Sequence, residues 1–226
     1  MKRRPVDDRG PILEFLQQGR WFGALAPALQ LLIVQRSIVV RFEPGDYLIE
    51  EGSPPKGLYA VLEGRIRATR RLAAGRDAPV HVGGRGFWCG DYATLAGQPT
   101  IGSTIADTRV RALFLSAAEF ERIVDEEPRH YRAFMALLLE RYARVFGSVA
   151  ELHGLPSEER LRRRLERIAA LWRDDLPTSG PVDLPLSQVE LAGMVGLSRQ
   201  RLSTLLGRLE AQGLIEVGFR SIRVLG

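Results

Sequence analysis

The run "LSRQRLSTLLGRLE" sets Arg199, Gln200, Arg201, Ser203, Thr204 and Arg208 around Leu202, Leu205, Leu206 and Leu209. The leucines recur at i, i+3, i+4 and i+7, the spacing of one helical face, so the cations, the amide and the hydroxyls fall on the opposite face. That opposite face carries donors and acceptors and nothing apolar. An arginine can bind guanine bidentately and a glutamine can bind adenine, so the chemistry on offer is the reading of base edges in a major groove. Upstream, Ser187 and Glu190 have the spacing of a capping box, and Val189, Ala192, Met194 and Val195 give the helix they start a small apolar face. Gly196 permits a tight turn, Leu197 plugs the angle between the helices and Ser198 caps the second, which is the helix-turn-helix pattern. "GLIEVGFRSIRVLG" follows as two strands around Gly218, a wing from which Arg220 and Arg223 could reach phosphate. Ser187, Arg199, Gln200, Arg201, Ser203, Thr204, Arg208 and Arg220 form the expected DNA-contacting set.

A second stretch, "CGDYATLAGQPTIGSTIAD" from Cys89 to Asp107, is rich in glycine and small hydroxylated residues and holds no lysine or arginine, in a chain of net charge +5. Backbone amides in such a stretch can form an anion nest, so it is a candidate ligand loop.

Other chemistries find little support. The chain has one cysteine, Cys89, which excludes an internal disulfide and any cluster or structural zinc held by several thiolates from this chain. There is no P-loop, no HExxH, no GxSxG elbow and no paired CxxC, so no catalytic residue and no metal site is expected and the chain does not read as an enzyme. Asp125, Glu126 and Glu127 read as surface. Axial haem ligands could come only from His81, His130, His153 and Cys89, residue types that are more often structural when they stand alone. A reactive thiolate needs a cationic neighbour, and the sequence around Cys89 offers only Arg85.

The elements that must position these residues follow from periodicity. The first forty residues read as helical, in "PILEFLQQG" and "ALAPALQLLIVQ". From about Ser37 to Ser116, short β-branched or aromatic segments alternate with glycine or proline turns, which suggests a sandwich or small barrel. "SAAEFERIVDEEP" makes a short helix. Beyond it Tyr131, Met135, Leu138, Tyr142, Val145, Val149 and Leu152 follow at alternating steps of four and three, a heptad stripe. The stripe suits a homodimer through parallel helices, and it also suits a single helix lying on the β domain. "GLPSEE" breaks it as a hinge. "SEERLRRRLERIAALW" is an amphipathic helix with Leu161, Leu165, Ile168 and Leu171 or Trp172 toward a core, its arginines solvated and paired with Glu158, Glu159 and Glu166. The expected division is residues 1–128 (N-terminal helices and β domain), 129–155 (dimerisation helix and hinge) and 156–226 (winged helix-turn-helix). The longest apolar runs, "LLIV" and "ALLL", are too short to span a bilayer, and "MKRRPVDDRG" does not read as a secretory signal. A bacterial-type cytoplasmic protein with no membrane partner is the expectation.

In that order of elements the chain resembles the Crp/Fnr superfamily of bacterial transcription regulators. The resemblance rests on "FEPGDYLIEEGSPPKGLYAVLEGRIR", on "GFWCGDYATLAGQP", similar to the family's effector cassette, and most specifically on "LSQVELAGMVGLSRQRLSTLLGRLE". It implies an α+β fold: an N-terminal double-stranded β-helix, or jelly-roll, of the cyclic-nucleotide-binding type, a long dimerisation helix and a C-terminal winged helix-turn-helix. It implies a homodimer on a palindromic promoter site in double-stranded DNA, RNA polymerase as a further partner, and Arg199, Gln200 and Thr204 as the main base-reading positions. The cAMP-responsive members carry glutamate where Gln200 stands and arginine where Thr204 stands, so a different half-site is implied. The cassette keeps Gly90 and Asp91 but has Thr100 and Ile101 where those relatives place the arginine and serine that clamp the cyclic phosphate. Val145 and Phe146 replace the hydroxyl residues that meet the adenine, and Phe146 is expected to fill the pocket. The implied cofactor set is therefore empty: cAMP is disfavoured, and a different acidic effector, a haem or redox signal, or no effector remain as alternatives. A cyclic-nucleotide-binding module with no direct transcriptional role is the remaining rival.

Overall fold

The structure, a computed structural model, describes residues 2–4, 9–73, 75, 77–174 and 180–225, with residues 2–4 and 171–174 described as backbone only. The expected core positions Leu171 and Trp172 therefore lie, as side chains, outside the described residues, as do residues 175–179.

The chain opens with β1 (Lys2–Arg4), then α1 (Arg9–Gln17), α2 (Arg20–Gly23) and α3 (Pro27–Arg36). β1 pairs antiparallel with β2 (Ile38–Phe42), Lys2 opposite Arg41, and this corrects the wholly helical reading of the first forty residues. Three consecutive basic residues have no alternation to read, and a charged strand at a sheet edge is held by main-chain pairing. β3 (Tyr47–Ile49), β4 (Gly57–Glu63), β5 (Ile66–Arg71), β6 (Asp77–Gly83) and β7 (Trp88–Cys89) follow, then α4 (Asp91–Ala96), β8 (Ser103–Ala106) and β9 (Val110–Ser116). They form two sheets, in the orders β1-β2-β9-β4-β7 and β3-β8-β5-β6. Every pairing in them is antiparallel.

β4 is buried from Gly57 to Leu62 because both its faces are covered. Leu58, Ala60 and Leu62 point to a core shared with the N-terminal helices, whereas Tyr59 and Val61 point between the sheets. β9 alternates likewise, with Leu113 and Leu115 on the helix side and Ala112 and Phe114 between the sheets. A strand buried on both faces reads as a continuous apolar run, as β4 does.

Ser116 caps α5 (Ala117–Glu126), its side chain accepting from the Glu119 amide. The long α6 (His130–Gly154) comes next. Its first half is built into the β domain: Phe134 and Leu137 are buried in the helix-side core, and Trp21 Nε1 donates to the Ala133 carbonyl at 2.8 Å. α7 (Ser157–Asp174) begins the C-terminal unit, followed by β10 (Val182–Leu184), α8 (Gln188–Val195), α9 (Arg199–Ala211), β11 (Ile215–Gly218) and β12 (Ser221–Val224). The three strands form a sheet in the order β10-β12-β11. Its core holds Leu161, Leu165 and Ile168 of α7, Leu191 and Val195 of α8, and Leu202, Leu205, Leu206 and Leu209 of α9.

The C-terminal unit is docked on the β domain. Val82 of β6 is buried in the C-terminal core. A register shift in β6 puts Ala68 opposite His81 and Thr69 opposite Pro79, so Val80 is a bulge residue. Its carbonyl accepts from Arg164 Nη2 at 2.9 Å. The arginines of α7 thus divide. Arg162 and Arg163 pair with Glu159 as the sequence reading expects, and their hydrogen bonds pull that carboxylate down to about 2. Arg164 instead reaches β6, Arg167 pairs with Glu151 of α6, and Arg160 donates to the carbonyls of Leu152, Leu155 and Val195.

Candidate nucleic-acid interface and effector pocket

The helix-turn-helix is built by local chemistry. Ser187 and Glu190 close the capping box in both directions, the serine hydroxyl accepting from the Glu190 amide and Glu190 Oε2 accepting from the Ser187 amide at 2.9 Å. Gly196 ends α8 at φ +66°, a conformation that favours glycine. Ser198 caps α9, accepting from the Arg201 amide. Burial of Leu202, Leu205, Leu206 and Leu209 turns Arg199, Gln200, Arg201, Ser203, Thr204 and Arg208 to solvent.

These side chains are not equally free. Thr204 Oγ1 donates back to the Gln200 carbonyl at 3.2 Å, and Arg208 Nη1 lies 3.4 Å from Glu158 Oε2. Arg199, Gln200, Arg201 and Ser203 make no side-chain hydrogen bond or ion pair with any described residue. The Ser187 hydroxyl is engaged by Glu190 at 2.6 Å, and Arg67 of β5 approaches that same glutamate at 2.9 Å. Arg220 is exposed at the wing tip with φ +52°. Arg223, expected to reach phosphate, is paired within the sheet with Asp183 at 3.0 Å and Glu216 at 3.4 Å.

The effector cassette is folded in on itself. Gly90 adopts φ +92°, and a Cβ there would meet the Gly57 carbonyl at 2.2 Å, so only glycine fits this close approach. Thr100 is buried, its hydroxyl donating to the Glu50 carbonyl at 2.5 Å, while its amide and carbonyl pair with Ser53 and Gly52. Ile101 is half exposed, at 50 %. Asp91 is buried and faces Arg141 of α6, Nε to Oδ2 3.0 Å, a Coulombic pair whose N–H does not align into a hydrogen bond. The guanidinium of Arg141 stands 4.8 Å over the Phe87 ring, and it also donates to the Trp88 carbonyl. Only a small pocket remains, lined by Ile49, Ser53, Pro54, Lys56, Gly57, Gly90, Ala93 and Thr100.

Two cations were missed in the sequence reading. Lys56 lies in the turn before β4 and lines the cavity, so the cassette has a basic rim. Arg141 precedes Val145 by one helical turn, and that spacing was the available signal. Phe146 is 64 % exposed and stacks on Tyr142 at 6.1 Å, which corrects the expectation that it fills the pocket. Val145 is likewise exposed, at 60 %.

His81 packs against Phe87 at 5.0 Å. Burial, followed by the charges of Arg164, Arg141 and Arg144, pushes its imidazole down to about 3. Burial also pushes the Cys89 thiol up to about 12, the opposite of what a thiolate sensor or ligand requires. The described residues contain no group of three or more His, Cys, Asp or Glu able to hold a metal, and no helix long and apolar enough to cross a membrane.

The heptad stripe divides in two. Tyr131 donates its hydroxyl to the Leu95 carbonyl at 2.9 Å, and Met135 and Leu138 pack against the helix-side core. Beyond them Leu139, Tyr142, Val145, Phe146, Val149 and Leu152 are exposed. One half of the helix lies on the β domain and the other presents an apolar face.

Comparison with known proteins agrees with this geometry. Residues 39–127 match the model of the cyclic nucleotide-binding domain, and residues 159–226 match the Crp-like helix-turn-helix domain. A CRP-like cAMP-activated global transcriptional regulator of Mycobacterium tuberculosis is 22 % identical over 211 residues, covering 93 % of this chain and 94 % of that protein. Among solved structures, FixK2 from Bradyrhizobium japonicum is similar with a TM-score of 0.70 at 20 % identity, over 84 % of this chain and 92 % of that one. The c-di-GMP-responsive regulator CLP of Xanthomonas campestris gives 0.64 at 20 % identity, over 84 % and 95 %.

Proposed function

Since the chain belongs to the Crp/Fnr family of transcription regulators, we propose that it acts as a homodimer on a palindromic operator, reading each half-site with the N-terminal half of α9. The observation that carries this is the free polar face of Arg199, Gln200, Arg201 and Ser203, set on a helix whose other face is locked by buried leucines. The exposed apolar run from Leu139 to Leu152 supports a paired helix, since a contiguous apolar face on a monomer is unusual. Two-fold pairing puts the recognition helices about 34 Å apart, in successive major grooves. RNA polymerase is the further partner of this reading.

Cyclic AMP is not the effector in this reading. Thr100 spends its hydroxyl on the Glu50 carbonyl, Asp91 is neutralised by Arg141, and the arginine of the phosphate clamp is absent. Each missing charge-assisted hydrogen bond costs about 1.5 to 3 kcal/mol, or roughly one to two decades of affinity. Lys56 at the rim suits an anionic effector other than cAMP.

The test is selection of bound duplexes from a random-sequence pool with no ligand added, repeated with millimolar cAMP. The reading expects a symmetric site in both selections and no change in melting temperature with cAMP. Absence of any enriched sequence counts against DNA reading by the free protein, and a saturable thermal shift with cAMP overturns the effector claim.

A further inference from the structure

The tip of the wing carries two residues that the fold itself does not favour. β11 and β12 pair out to Gly218 opposite Ser221, so the connection is the dipeptide Phe219–Arg220. Phe219 is 95 % exposed. Arg220 sits at φ +52°, the one positive-φ residue other than glycine among the described residues. Turns this short favour Asn-Gly or Asp-Gly, because glycine and asparagine take left-handed backbone at little cost. A glycine stands one position too early to help: Gly218 has an ordinary φ, and a Cβ there would come 2.4 Å from Ser221 Oγ. A single exposed apolar side chain is commonplace on a protein surface. An exposed ring whose turn partner is held in strained backbone is not, and such outliers gather at binding sites.

The surroundings restrict what the ring meets. Arg223, on the next strand, is held by Asp183 and Glu216, whereas Arg220 makes no hydrogen bond or close ion pair with a described residue. Val217 of the wing donates its amide to Glu210 of α9 at 2.8 Å, which holds the wing beside the recognition helix. An apolar ring beside an unpaired guanidinium suits a partner with phosphates flanking stacked apolar surfaces. With α9 in a major groove, a wing held beside that helix would face the phosphate backbone bordering the groove and the minor groove next to it.

We propose that Phe219 is a minor-groove wedge, packing its ring on sugars or partly unstacked bases beside the half-site while Arg220 holds the flanking phosphate. The proposal rests on the DNA-reading function proposed above and adds to it an interaction outside the major groove.

The experiment uses the full chain on the duplex that the wild-type protein enriches. Phe219→Ala, Arg220→Ala and Arg220→Gly are titrated against that duplex over a range of salt, with melting temperatures measured in parallel. Phe219→Ala is expected to keep the wild-type melting temperature and to bind about tenfold more weakly with an unchanged salt slope, as removal of a stacking ring does. Arg220→Ala is expected to reduce the slope of log K against log salt by about 0.9, one phosphate contact. Arg220→Gly is expected to melt no lower than wild type, since it relieves the turn, and still to lose affinity. With p-benzoyl-phenylalanine in place of Phe219, irradiation is expected to crosslink the chain to the duplex. Wild-type affinity in Phe219→Ala, or a crosslink to protein and not to DNA, overturns the wedge and leaves DNA reading by α9 intact. If the wild-type chain enriches no duplex, both readings fall together.

Discussion

Asp91 is buried and its charge is opposed at close range by the Arg141 guanidinium, with the charge of Arg144 farther off. Taking away one member of a buried pair leaves an uncompensated charge, so Arg141→Met should destabilise the protein by about 3 kcal/mol in urea unfolding. Adding Asp91→Asn should restore part of that stability, because the stranded charge is then gone. A titration tests His81. Its folded pKa of about 3 lies below its unfolded value of about 6.5, so the unfolded chain binds the extra proton between those limits. Stability therefore falls as pH drops from about 6.5 toward 3, and His81→Gln should flatten the fall in melting temperature across that window. At this scale the sequence is least legible. Arg141 and Asp91 lie far apart along the chain and meet only once α6 packs on the cassette. Arg223 is taken by Asp183 and Glu216 only because β10 and β11 flank β12.

Elements were legible where their ends and faces are decided locally. α8 and α9 could be read from the capping box, the Gly196 turn and the leucine spacing, all of which act within a few residues. The heptad stripe of α6 could be read as a stripe but not as two surfaces, since what covers Met135 and Leu138 comes from elsewhere in the chain. That division makes a specific prediction for the homodimer. Val145 and Val149, 60 % and 51 % exposed in a single chain, are expected to be buried between paired helices. Val145→Glu and Val149→Glu should each give a monomer in sedimentation equilibrium with an unchanged secondary structure. Met135→Glu should instead lower the melting temperature, because it strikes the core. A wild-type monomer at micromolar concentration would contradict the paired arrangement.

The two units of the molecule meet along β6, with Arg67 of β5 beside it. β6 turns His81 toward Phe87 and the cassette side, Val82 into the core of the winged helix-turn-helix, and the bulged Val80 carbonyl to Arg164. Arg67 of the neighbouring strand bridges Asp107 to Glu190, the residue that caps α8. The β domain and the reading head thus share β6, a connection that long-range packing creates and no local pattern announces. The central claim, that α9 reads DNA as one half of a two-fold pair, is tested most directly by parallel selection from a random duplex pool with the wild-type chain and with Gln200→Ala. The account predicts a symmetric site for wild type and, for the variant, the same site with one base pair of each half-site degenerate, the two positions related by the symmetry axis. A bidentate pairing of glutamine with a base is worth about 1 to 3 kcal/mol of discrimination, enough for the degeneracy to stand out in the selected pool. Identical preferences from both proteins, or a change confined to one side of the site, would contradict it.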